Sequence, residues 1–71
     1  MITHEQLVEL GGWQGRTYYE YIFDNWEYLY NSKTNTFWNI NDGFGEPELI
    51  VDRVRDYEHL KEILTALNLD I

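Results

Sequence analysis

Between Thr17 and Ile40 large aromatic residues recur at every second position, a spacing that only an extended strand gathers on one face. Three antiparallel strands are predicted, over residues 17–23, 26–31 and 36–40. Asp24 and Asn25 tolerate the positive φ of a two-residue primed turn, and a turn centred on them pairs Phe23 with Trp26, Tyr21 with Tyr28 and Tyr19 with Tyr30. Those rings then share a core face. Tyr18, Glu20, Ile22, Glu27, Leu29 and Asn31 fall on the opposite, wetter face. The second turn sets the register of the third strand. A three-residue loop of Lys33, Thr34 and Asn35, with Asn35 left-handed, pairs Tyr30 with Trp38 and Tyr28 with Ile40. A four-residue loop instead turns Phe37 and Asn39 inward. The first register is expected because it keeps Trp38 and Ile40 with the other large apolar groups.

Around this meander the chain carries helix signals. Thr3 and Gln6 form a capping box, Ile2 is placed to staple against Leu7, Glu5 suits the first turn, and Gly11 stops a helix over residues 3–10. Residues 11–16 read as a glycine-rich link. After the strands, residues 41–47 form a loop with two glycines and Pro47, and residues 48–53 read as a fourth, edge strand. Asp56 caps a final helix over 57–67, whose Tyr57, Leu60, Ile63, Leu64 and Leu67 make one stripe. Asn68 and Leu69 fit a left-handed stop. The expected fold is α+β: a short N-terminal helix, a three- to four-stranded antiparallel meander and a C-terminal helix, with both helices packed on one face of the sheet. All 71 residues read as one domain, close to the size at which a core without staples becomes marginal.

With no cysteine, neither disulfides nor thiolate metal sites support the fold, and a reducing cytoplasmic setting is expected. Three Trp, six Tyr and three Phe must carry the core. Thirteen acidic residues against five basic ones give a formal net charge of −8, spread along the chain. Such a charge repels nucleic acid and anionic membranes and attracts basic proteins. No apolar run is long enough for a bilayer, and the opening residues lack the pattern of a signal peptide.

Catalytic constellations are sparse. His4 and His59 lie in different helices without metal-ligand spacing, and Ser32 sits in a turn. Glu20 and Glu27 have no evident pocket. The oxygen-rich loop of Asn39, Asn41, Asp42, Gly43 and Glu46 misses the glycine and glutamate positions of a calcium loop. A non-enzymatic chain with no cofactor and no metal is therefore expected.

Gly15-Arg16 before Tyr18-Tyr19, and Tyr30-Asn31 with Thr34 and Trp38, resemble a WW domain, a three-stranded binder of proline-rich peptides. The Trp13 to Trp38 spacing and the lack of a proline after Trp38 depart from that pattern, which leaves convergent hairpin composition. Across the whole chain, the run from Leu7 to Trp13, the Tyr- and Glu-rich strands and the run from Val54 to Leu60 resemble small acidic proteins of phages and mobile elements. That resemblance implies a role held by some of those proteins, as an anti-defence or anti-CRISPR inhibitor that occupies a basic surface. The expected partner-binding residues are Tyr18, Glu20, Ile22, Glu27, Leu29 and Phe37, apolar anchors among acids on the wet face. The alternative is a structural or assembly module that uses the same face or an edge strand to form a homodimer or join a larger complex.

Overall fold

The computed structural model describes residues 2–41 and 45–67. Thr3 caps α1 (His4–Glu9) through the capping box: its side chain accepts from the Gln6 amide at 3.1 Å, and the Gln6 side chain accepts from the Thr3 amide at 3.0 Å. At the other end the Gly11 amide donates to the Val8 carbonyl and the Gly12 amide to the Leu7 carbonyl, each at 2.9 Å. These are the paired bonds of a Schellman stop, and Gly11 supplies the left-handed residue at φ 96°. Gly12 then turns the chain inward beside Phe23, where a Cβ would stand 2.6 Å from the ring.

A five-stranded antiparallel sheet follows in chain order: β1 (Trp13–Gln14), β2 (Glu20–Phe23), β3 (Tyr28–Asn31), β4 (Thr36–Asn39) and β5 (Glu48–Val51). The sheet has more strands than expected. Residues 11–16 are not a plain link, because Trp13 pairs with Ile22 and Gln14 with Tyr21. Residues 17–19, expected to begin a strand, form the turn that this pairing needs. β1 has only two residues, too short for a periodic pattern to show.

The first hairpin turns one residue later than expected. The Glu27 amide donates to the Asp24 carbonyl at 3.1 Å, closing a turn around Asn25 (φ 53°) and Trp26 (φ 71°). Asp24 (φ 54°) and Asn25 take the positive φ expected of them, and Trp26 takes it as well, at a position that suits glycine. The register becomes Phe23 with Tyr28, Ile22 with Leu29, Tyr21 with Tyr30 and Glu20 with Asn31. Moving the turn by one residue moves the pairing by two, so Tyr21, Phe23, Tyr28 and Tyr30 keep a common face.

The second hairpin adopts the four-residue loop. Tyr30 pairs with Phe37 and Leu29 with Trp38, so Phe37 turns into the core and Trp38 and Ile40 turn out. This corrects the expected placement of Phe37, Trp38 and Ile40. The cause is the Asn31 side chain, whose Oδ1 accepts from the Lys33 amide at 2.9 Å and the Thr34 amide at 3.1 Å and so holds Ser32 in the loop. Asn35 is left-handed, as expected, at φ 59°, and its side chain accepts from the Tyr30 hydroxyl at 2.7 Å.

β5 pairs with β4 through a bulge: Phe37 stands opposite Val51 and Trp38 opposite Leu49, leaving Ile50 unpaired at the sheet edge. α2 (Tyr57–Ala66) is capped by Asp56, which accepts from the His59 amide at 2.8 Å. The stop expected at Asn68 and Leu69 lies outside the described residues.

Tyr21, Phe23, Tyr30 and Phe37 are buried in one cluster with Leu7, Leu10, Val54, Leu60 and Leu64. Phe37 has no exposed surface and stacks on Tyr28 at 5.6 Å between ring centroids, with 17° between planes.

Candidate protein-binding surface

Residues directly opposite in antiparallel strands point to the same side of a sheet, so the strand register orders the outer face into rows. One row crosses all five strands: Trp13, Ile22, Leu29, Trp38 and Leu49. It is wholly apolar. Ile22 is buried, Leu29 and Trp38 are half-buried, and Trp13 and Leu49 at the ends are 51% and 44% exposed. A neighbouring row, Glu20, Asn31 and Thr36, is polar. On the other side Ile40, whose amide donates to the Glu27 carbonyl at 3.0 Å, begins a mixed row.

Two shallow concavities lie on this face, with Glu20, Leu29, Ile40 and Pro47 common to both. The first, of about 380 Å³, extends over Asn31, Thr34, Thr36 and Trp38. The Trp38 indole N–H donates to Thr36 Oγ1 at 2.8 Å, and that oxygen lies 2.7 Å from Thr34 Oγ1. This chain of contacts fixes the indole plane. The second concavity, of about 580 Å³, is bounded by Arg16, Ile22 and Trp26, the last 45% exposed.

Of the residues expected to bind a partner, Glu20 and Leu29 come together on this face, while Ile22 lies beside them at only 1% exposed and offers a partner no surface. Glu27 lies at its margin, at the end of the turn. Tyr18 is 75% exposed but stands in the turn before β2, edge-on to Tyr19 at 5.4 Å, and lines neither of these concavities. Phe37 is withdrawn altogether, being enclosed in the core. The sequence reading missed Trp13, Trp38, Ile40 and Leu49 as outer-face residues. The Asn31 side chain was the available signal for Trp38 and Ile40; a two-residue strand and a bulge left none for Trp13 and Leu49.

A search of protein-family models, curated proteins and solved structures found no match.

The histidines are engaged locally. His4 Nδ1 lies 2.8 Å from the Tyr21 hydroxyl, and His59 Nδ1 accepts from the Arg55 amide at 3.0 Å. Among the described residues no group of three His, Cys, Asp or Glu side chains could hold a metal ion. Of the suggested calcium loop, Asp42 and Gly43 lie outside those residues, while Asn39 Oδ1 accepts from the Asn41 amide at 2.9 Å. Among the described residues no helix is long and apolar enough to cross a membrane. Burial raises the Tyr30 hydroxyl pKa, and burial, then the charges of Glu27 and Asp24, raise that of Tyr28. Both phenols are therefore poorer acids.

Proposed function

We propose that this chain is a small, non-enzymatic protein-binding module that covers a basic surface of a partner protein with the outer face of its sheet and so acts as an inhibitor. The observation that carries this reading is the apolar row from Trp13 to Leu49, standing on the face opposite the buried ring cluster of a protein with net charge −8. Trp13, Leu29, Trp38 and Leu49, the members of the row with accessible surface, supply contact area, while acids spread over the chain steer a cationic partner and repel nucleic acid. Both helices pack on the other face, a reading supported by Leu7, Leu10, Leu60 and Leu64 sharing one cluster with Tyr21, Phe23, Tyr30 and Phe37. The outer face is thereby left for a partner. A phage or mobile-element origin and a cytoplasmic setting belong to this proposal, supported by the acidic composition and the lack of cysteine.

The test is a pull-down from lysate with the chain as bait. Capture of a basic protein is expected to weaken as salt is raised and to vanish on changing Glu20→Lys and Glu27→Lys together. Undiminished capture by the double variant rejects the outer face as the contact.

One observation favours an assembly module instead. β5 is a sheet edge, with Leu49 and Ile50 exposed along it. A self-paired edge or face gives a homodimer in sedimentation. A single monomeric species at high concentration removes the homodimer form of that reading.

A further inference from the structure

The groove over Trp38 combines features that together select one kind of side chain. Leu29, Ile40 and Pro47 give it apolar walls, and among the described residues Glu20 is the one charged side chain lining it. The Trp38 N–H is already donated to Thr36, so the indole offers a partner its π face rather than a hydrogen bond. A second copy of this chain brings another −8 toward Glu20 and is disfavoured by like charge. A groove of about 380 Å³ takes individual side chains from an extended segment rather than a folded element.

From this geometry we infer that the groove is an arginine slot: an extended segment of the partner protein lays a guanidinium over the Trp38 ring and directs it to the Glu20 carboxylate. This rests on the protein-binding reading above and names the chemistry of the partner. A guanidinium is planar, weakly hydrated and stacks on aromatic faces, and its methylene stem suits the walls formed by Leu29 and Ile40. An ammonium lacks the planar face and keeps its water more tightly. The indole plane, held by the Thr36 and Thr34 hydroxyls, is already fixed before the ligand arrives, which lowers the ordering cost of binding.

The experiment is an NMR titration of the intact chain with three capped hexapeptides that alternate valine with arginine, lysine or citrulline. Citrulline keeps the shape of arginine without its charge. The arginine peptide is expected to shift the Trp38 indole N–H and the Glu20 and Leu29 amides in a saturable way. The citrulline peptide, Trp38→Leu and Glu20→Gln should each weaken it about tenfold, and lysine should bind more weakly than arginine. Glu58→Gln, on an exposed position of α2, should leave it unchanged. Shifts scattered over the acidic residues without saturation, equal losses from Glu20→Gln and Glu58→Gln, or equal binding of citrulline and arginine peptides overturn the inference. The citrulline comparison needs no substitution, so a misfolded variant cannot obscure the result. If citrulline binds as arginine does, yet the Glu20→Lys and Glu27→Lys double variant still loses partner capture, the slot falls and the binding module stands.

Discussion

Truncating Phe37 and Trp38 separately tests the register on which the outer face depends. Phe37 is fully enclosed and touches Tyr28 and Phe23 rings at centroid distances of 5.6 and 6.5 Å. Phe37→Ala therefore loses the whole transfer energy of a ring and leaves a cavity, about 3–5 kcal/mol. A chain of 71 residues has roughly 4–11 kcal/mol in total, taking about 0.05–0.15 kcal/mol per residue. The variant thus loses between about a quarter and all of its stability. Trp38 is only half-buried on the opposite face, and Trp38→Ala should cost roughly 1–2 kcal/mol from area alone. Phe37→Leu, at about 1–1.5 kcal/mol, provides a folded comparison, and in a domain of this size each kcal/mol lowers Tm by about 4–8 °C. Thermal and urea melts followed by far-ultraviolet circular dichroism read all three. If Trp38→Ala unfolds the chain while Phe37→Ala barely moves the midpoint, the faces of β4 are reversed and the proposed surface is lost.

Other consequences follow from backbone and titration. Trp26 sits at φ 71°, where glycine is free of strain, so Trp26→Gly should be more stable than Trp26→Ala, which loses the same ring, by about 0.5–1 kcal/mol; the reverse order of urea midpoints contradicts the turn geometry. Gly12→Ala places a methyl 2.6 Å from the Phe23 ring and 2.9 Å from the Leu7 carbonyl and should cost about 1–3 kcal/mol, whereas a neutral result in the melt argues that the Gly12 approach is looser. Because folding raises the Tyr30 pKa, the native state binds this proton more tightly than the unfolded chain does. Its contribution is whole below the ordinary tyrosine value of about 10 and is lost as pH climbs through the raised native value. Tm measured across that alkaline range should fall less steeply for Tyr30→Phe than for the parent chain, and parallel curves would count against burial as the cause.

Much of the sheet was legible because side-chain parity survives some errors. The first turn was displaced by one residue, yet that displacement shifts pairing by two, and Tyr21, Phe23, Tyr28 and Tyr30 stayed on the core face. In the second hairpin the loop itself set the parity, so choosing three residues instead of four reversed Phe37 and Trp38. General hydrophobicity could not decide between two large aromatic neighbours; the Asn31 side chain, bonded to two loop amides, did. Helix ends were readable from Thr3, Gly11 and Asp56 because caps act over a few adjacent residues. β1 was not, since two residues have no period and their pairing depends on Ile22 and Tyr21 at a distance. The candidate surface inherited these limits: Glu20 and Leu29 were placed from alternation alone, whereas Trp13 and Leu49 required tertiary pairing.

None of the three tryptophans belongs to the buried ring cluster; Trp13 and Trp38 stand in the outer row, and Trp26 stands beside it in the turn. Phenols and phenylalanines fill the interior instead. The indole emission of this molecule is consequently a reporter of what settles on its outer side. Docking can therefore be watched through the protein's own indoles without attaching a dye.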